Sequence, residues 1–153
     1  MVDRVIRAAL AALAVVSLPV GLWAAVAPRG FYDDFPGGGR TWVAADGPYN
    51  EHLVRDFGAL NLALTVVTVV ALVTLGRAVV LAAAGAWIAY AAPHLVYHLR
   101  HLDVYDASDK AANVFALGLS LVLPVVILVA ELRRRSATAS TTAGATGTPT
   151  TTS

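Results

Sequence analysis

Histidine is the residue type in this sequence whose spacing could support metal or proton chemistry. His94, His98 and His101 are separated by steps of four and three residues, so a continuous helix would place their imidazoles on one face. A four-residue step likewise places His52 above Asp56. Imidazoles and carboxylates are ligands for Zn(II), Fe(II), Mn(II) and Cu(II), so we predict a metal site made from these five residues.

The two segments that carry the histidines are joined by a short turn near residues 74–77, so their helices must be antiparallel neighbours. Counting about 1.5 Å per residue from that turn puts Asp56 level with His94, and His52 level with His98. We therefore expect one polar cluster at the outer membrane boundary. Haem is a less favoured cofactor, because its two axial histidines would have to come from two helices, His52 with His94 or His98. A proton relay and ordinary interfacial contacts with headgroups and water are the other interpretations, and the last is the commonest role of such residues.

Two arginines, Arg55 and Arg100, belong to the same outer region. With the five candidate metal ligands they form what we call the His/Asp/Arg cluster: His52, Arg55, Asp56, His94, His98, Arg100 and His101. The planar guanidinium groups of Arg55 and Arg100 suit phosphate or carboxylate, which predicts an anionic ligand or a lipid headgroup. The alternative is that they form ordinary ion pairs with Glu51, Asp56 or Asp103.

The composition is that of a membrane protein. Hydrophobic residues make up 58% of the chain and charged residues 14%, with a mean hydropathy of +0.68. The net charge is +1 and the charges lie at the ends of apolar runs, so we expect no nucleic-acid surface. The absence of cysteine excludes disulfides, thiolate metal sites and thiol nucleophiles. The expected partners are the lipid bilayer and either a second copy of this chain or another membrane protein.

Four apolar runs are each long enough to cross a hydrocarbon core of about 30 Å. We predict an all-α fold, a four-transmembrane-helix bundle, with an external loop at 28–52 and helices at about 5–27, 53–75, 78–101 and 111–130. The first run could instead be a cleaved signal peptide, because Arg4 and Arg7 precede a stretch that ends in Ala25-Val26-Ala27. That stretch is long for a signal peptide and Pro28 follows it directly, so a retained helix is the better interpretation.

Basic residues in short flanking segments predict orientation, because they are retained on the cytoplasmic side. One side of the bundle receives six arginines: Arg4, Arg7, Arg77, Arg133, Arg134 and Arg135. We therefore predict a multi-pass plasma-membrane protein with both termini cytoplasmic. Residues 136–153 consist almost entirely of Ser, Thr, Ala and Gly, a composition that predicts a disordered C-terminal tail.

Two further patterns bear on packing. Small residues recur at four-residue spacing in the third run, which predicts close helix contact within this chain or with a second copy: Ala78, Ala82, Ala86 and Gly85, Ala89. Asn61, Thr65 and Thr68 share a face of the second run, where we expect hydrogen bonds between helices.

The external loop is rich in aromatic residues that would form a belt at the membrane interface: Phe31, Tyr32, Phe35, Trp42 and Tyr49. A loop of this length is typical of a lid, a binding loop or a disordered segment. We expect the triple glycine at 37–39 to act as its hinge.

Two segments carry a resemblance to known proteins. PYNEHLVRDFGALNLAL at 48–64 and PHLVYHLRHLD at 93–103, together with four short helices, resemble uncharacterised small membrane proteins of actinobacteria. More loosely, the layout is similar to DoxX-like four-helix proteins, some of which associate with quinone or thiol-oxidising systems. The resemblance implies the topology only, because no catalytic motif is shared. A thiol-redox role needs cysteine, and this sequence contains none.

Enzyme templates fail, since the sequence contains neither G-x-S-x-G nor H-E-x-x-H, so an enzyme is the less favoured interpretation. We expect an accessory or assembly protein whose external His/Asp/Arg cluster binds Zn, Fe, Cu or Mn. The alternative is a membrane oxidoreductase or cytochrome-like subunit that uses the same histidines as haem or metal ligands. A transporter component ranks last, because the sequence has no broken helix pair or inverted repeat.

Overall fold

The computed structural model describes residues 1–145, with residues 135–145 described by their backbone alone. Six α-helices are present in this part of the chain: α1 (Val2–Val26), α2 (Pro28–Asp34), α3 (Trp42–Asp46), α4 (Glu51–Thr74), α5 (Arg77–Arg100) and α6 (Ala107–Ala145). A short antiparallel hairpin, β1 (Pro36–Gly37) with β2 (Arg40–Thr41), and a 3₁₀ helix (Leu102–Val104) complete the described elements.

The predicted all-helical fold with four spanning segments is confirmed. α1, α4, α5 and the Ala107–Arg134 part of α6 are each long and apolar enough to cross a membrane. The backbone of α6 continues to Ala145, and residues 146–153 lie outside the described residues. Disorder of the segment 136–153 therefore stays a prediction.

The helices run alternately up and down. α4 begins at a capped turn, where the Asn50 side chain accepts a hydrogen bond from the Leu53 amide. It ends at Leu75, which adopts a left-handed conformation, and α5 starts two residues later. We call the end of the bundle that carries residues 28–50 the cap end, and the opposite end, where this turn lies, the base.

The closest helix contact is between α1 and α4. A Cβ atom placed on Gly58 would lie 2.5 Å from the backbone nitrogen of Ala25, so only glycine fits there. Gly21 of α1 faces the same contact, near Asn61. α5 in turn packs mainly against α6. The bundle is thus built from two helix pairs, α1 with α4 and α5 with α6.

The small-residue stripe singled out on the third run does not make these contacts. Ala78, Ala82, Gly85 and Ala89 are exposed, and Ala86 is half-buried. A neighbouring face of α5 is buried instead: Val80, Ala83, Ala84, Trp87 and Ala91. This face carries Trp87, whose indole donates a hydrogen bond to Thr68 on α4.

The expected polar stripe on α4 does bond to its neighbours, through Asn61, Thr65 and Thr68. The Thr65 hydroxyl lies 2.7 Å from that of Ser17 on α1, and the Trp87 indole on α5 donates to Thr68 at 2.8 Å. Asn61 donates to the Tyr90 hydroxyl at 3.5 Å. These bonds fix the rotation of α4 relative to α1 and α5.

Residues 28–50 fold into a compact cap rather than an irregular loop. Phe31 of α2 is almost fully buried, with its ring centroid 5.7 Å from that of Trp23 and 5.6 Å from that of Phe57. It therefore packs on the ends of α1 and α4 instead of joining an interfacial belt. The triple glycine lies at the hairpin turn, and all three residues have positive φ angles of 102°, 67° and 81°. Its role as a hinge stays a prediction.

Candidate functional site

A cavity of about 640 Å³ lies beneath the cap, between the four spanning helices. Its walls come from α1, α4, α5, α6 and the cap, and most of them are apolar or aromatic. The volume is in the range of pockets that bind small molecules. This cavity is the candidate site.

One face of α5 supplies the aromatic wall of the cavity. Trp87, Tyr90, His94 and His98 follow one another at steps of three, four and four residues, which places them on a single helical face. The ring centroids of Tyr90 and His94 are 5.3 Å apart, and those of His94 and His98 are 4.8 Å apart. Phe57 of α4 stacks on His94 at 6.2 Å. Two of the predicted site residues, His94 and His98, therefore line the cavity.

The other three predicted metal ligands lie elsewhere. His101 stacks on Tyr97 at 4.2 Å, and its Nδ1 atom lies 2.8 Å from the Tyr97 carbonyl oxygen. His52 pairs with Asp56 at 3.3 Å, and their side chains are 87% and 62% exposed. Within the described residues, no group of three His, Asp or Glu side chains is close enough to hold a metal ion. Metal binding by this set stays a prediction.

The reason for this separation is the direction of the side chains around α4. His94 stacks on Phe57, the residue directly after Asp56, so the counted heights of the two helices agree with the structure. The inward face of α4, however, carries Val54, Gly58 and Asn61. Counting residues from the turn gives the height of Asp56 but not the face on which it lies.

The two predicted anion-binding arginines also differ from each other. Arg55 donates to Glu51 at 2.9 Å and to the backbone carbonyl of Ala25, so it ties α4 to the end of α1. Arg100 is exposed at the end of α5, with no ion pair or hydrogen bond from its side chain to the described residues. Neither arginine lines the cavity.

Three buried polar atoms on the cavity walls have no hydrogen-bond partner among the described residues: Trp42 Nε1, His98 Nδ1 and Asn113 Oδ1. Asn113 is only 3% exposed. Buried polar groups in proteins are nearly always paired, so three unpaired atoms on residues that line one cavity are unusual. Sequence reasoning missed Asn113, although it and Ser120 stand seven residues apart on one face of an otherwise apolar run.

The cap is fastened to the start of α6 above this cavity. The Tyr105 hydroxyl donates to the Trp42 carbonyl oxygen at 3.0 Å, and Arg40 pairs with Asp109. Burial raises the pKa of Tyr105 to about 12, and the nearby carboxylate of Asp46 adds to the effect. Tyr105 therefore remains a hydrogen-bond donor at physiological pH.

Asp106 caps the start of α6 beside this fastening. Its carboxylate accepts a hydrogen bond from the Asp109 amide at 2.8 Å and another from the Ser108 hydroxyl at 3.0 Å. These bonds lower the pKa of Asp106, the amide of Asp109 most strongly. The start of α6, which carries the partner of Arg40, is therefore held by local bonds of its own.

Exposed wall residues show where the cavity opens. Four of them lie on the facing sides of α1 and α6: Ala12, Val16, Ala116 and Leu119. Two more, Leu53 and Tyr97, lie near the cap end of α4 and α5. The cavity thus opens sideways between two spanning helices and again close to the cap.

Comparisons of the chain with protein-family models, with curated proteins and with solved structures found no match.

Proposed function

We propose that this chain is a membrane protein that binds a lipid-soluble small molecule in the cavity beneath the cap. The observation that carries the proposal is the set of three unpaired buried polar atoms on the walls of an otherwise apolar cavity between the spanning helices. Apolar walls with a few fixed polar groups are typical of small-molecule sites. The molecule would reach this site from the bilayer through the opening between α1 and α6.

The proposed location is the plasma membrane, with the base and both termini on the cytoplasmic side. Its support is the distribution of arginines at the base: Arg4, Arg7, Arg77, Arg133 and Arg134. The cavity would then lie in the leaflet away from the cytoplasm, beneath a cap on the outer surface.

Binding of this kind fits the accessory or assembly role predicted from the sequence better than it fits a redox subunit. Haem would need axial histidines from two helices, but His52 is exposed and paired with Asp56, while His94 and His98 share α5. A metal centre would need a third ligand beside His94 and His98, and the described residues do not bring one close. We therefore propose a binding protein rather than an enzyme.

The test is native mass spectrometry of the protein released from detergent after purification from membranes. We expect a small molecule to remain bound to the unmodified chain, and to be lost in Ala116→Phe, which fills the cavity from α6. Ala63→Phe is the matched control, because Ala63 is equally exposed on a spanning helix but does not line the cavity. No bound molecule, or equal retention in all three proteins, would contradict the proposal.

A further inference from the structure

We infer that the ligand is an uncharged amphiphile whose polar head accepts a hydrogen bond from Trp42, with its apolar part extending toward the base. The inference rests on the proposed function and narrows it to a chemical class. It places the head beneath the cap, among Trp42, His98 and Asn113.

The charge of the cavity walls argues against an anionic head. Among the described residues that line the cavity there is no Lys or Arg, and the one carboxylate is Asp46, close to Trp42. A carboxylate or phosphate head would be desolvated there without a fixed counter-charge and would be repelled by Asp46. Arg55, the nearest arginine on α4, is already bonded to Glu51 and Ala25.

The hydrogen-bonding capacity of the unpaired atoms specifies what the head must offer. The indole of Trp42 can only donate, so the head must present an acceptor, which excludes a simple ammonium group. The Asn113 amide can donate or accept, and His98 Nδ1 can do either according to its tautomer. A hydroxyl or a carbonyl group satisfies these requirements without carrying charge.

Two hydroxyl groups on the cavity walls are already hydrogen-bonded within the chain. Ser17 is bonded to Thr65, and Ser120 donates to the Leu117 carbonyl oxygen. Beyond them the walls toward the base are apolar, formed by Leu13, Leu123 and the ring of Trp87. The aromatic face of α5 runs between the two ends and suits a flat, conjugated molecule.

Retinol and retinyl phosphate provide a matched pair of probes, since they share one conjugated chain and differ in the charge of the head. Tritiated retinol bound to the protein in lipid nanodiscs would be displaced by either unlabelled compound, with protein-free nanodiscs as background. We expect retinyl phosphate to require at least tenfold higher concentration than retinol. Displacement at an equal or lower concentration, or absence of saturable retinol binding, overturns the inference.

Trp42→Phe tests the donor itself. It removes the indole N–H and keeps an aromatic ring, and we expect the affinity for retinol to fall by about fivefold, the effect of losing one hydrogen bond. Trp23→Phe is the control, because Trp23 packs on the same cap but does not line the cavity. Equal affinities in the two variants contradict the assignment of the donor.

Asn113→Leu provides a second variant whose effect does not depend on the cap. It keeps the size of the side chain and removes the unpaired amide, so retinol affinity should fall while the fold is retained. If retinol binding is saturable and Ala116→Phe leaves it unchanged, the cavity is not the binding site, and the proposed function is contradicted. If Ala116→Phe abolishes binding but the unmodified protein binds retinyl phosphate more tightly than retinol, the cavity is the site and only the inferred chemical class of the ligand is contradicted.

Discussion

The base and the cap end of this bundle differ in how their buried polar groups are bonded. At the base, Glu131 Oε1 accepts a hydrogen bond from Arg134 at 2.9 Å and lies 3.9 Å from Arg77, while Glu131 Oε2 has no hydrogen-bond partner among the described residues. Arg134 also pairs with Asp3 and donates to the Leu75 carbonyl oxygen. At the cap end, buried polar atoms of three cavity-lining residues have no hydrogen-bond partner among the described residues.

The difference separates residues that hold the helices together from residues that are available to a ligand. The charges at the base join α1, α5 and α6, together with the turn between α4 and α5. The unpaired atoms at the cap end have no hydrogen-bond partner among the described residues. Their removal should therefore change the free energy of unfolding little.

The largest effect is expected at the base, from Glu131→Gln. The change leaves Arg77 and Arg134 without the charge of their buried partner, and we expect a loss of about 3 kcal/mol in the free energy of unfolding. Glu51→Gln is the matched control, since Glu51 also meets an arginine at 2.9 Å, but its side chain is 58% exposed against 2% for Glu131. That control should lose less than about 1 kcal/mol. Unfolding in mixed micelles of detergent and denaturant measures both, and similar losses would remove the contrast between the ends.

A somewhat smaller effect is expected from Gly58→Ala, which forces α1 away from α4. The new Cβ atom would lie 2.5 Å from the Ala25 backbone nitrogen. We expect the free energy of unfolding to fall by about 2 kcal/mol and ligand binding to weaken. Gly85→Ala is the control, because nothing lies within 4 Å of its new Cβ atom. If Gly58→Ala left both stability and binding unchanged, the α1–α4 contact would not shape the cavity.

The fastening of the cap should depend on alkaline pH through Tyr105. Its pKa is raised from the ordinary value of about 10 to about 12, so the folded state retains the phenol proton that the unfolded state loses. Stability is therefore fully present below about pH 10 and falls between about pH 10 and pH 12, by about 2 kcal/mol at most. Unfolding measured against pH should show a larger fall in the unmodified protein than in Tyr105→Phe. An identical fall in both would contradict the role of Tyr105.

Much of this architecture could be predicted from sequence, because lengths of apolar runs determine how many helices can cross a bilayer. The heights of residues on α4 and α5 could also be counted from the short turn, and His94 does meet Phe57 at the counted level. The direction of side chains around each helix could not be counted. For this reason His52 and Asp56, predicted to join His94, lie on an exposed face of α4.

The residues that complete the candidate site come from parts of the chain with weak sequence signals. The sequence predicts an interfacial aromatic at Trp42, because nothing local predicts that residues 28–50 fold back over the helices. Burial of Phe31 against Trp23 and Phe57 depends on contacts distant in sequence. Asn113 carried a signal, a lone amide in an apolar run, but its unpaired state emerges only when its neighbours are known.

We propose that the unpaired polar atoms at the cap end serve a ligand and not the fold. Two buried asparagines allow a direct comparison: Asn113, 3% exposed and unpaired at Oδ1, and Asn61, 4% exposed and bonded to Phe57 and Tyr90. The decisive measurement is the free energy of unfolding of Asn113→Leu and Asn61→Leu without added ligand. We predict that the free energy of unfolding rises by about 1 kcal/mol in Asn113→Leu and falls by about as much in Asn61→Leu. A loss in Asn113→Leu as large as that in Asn61→Leu would contradict the account.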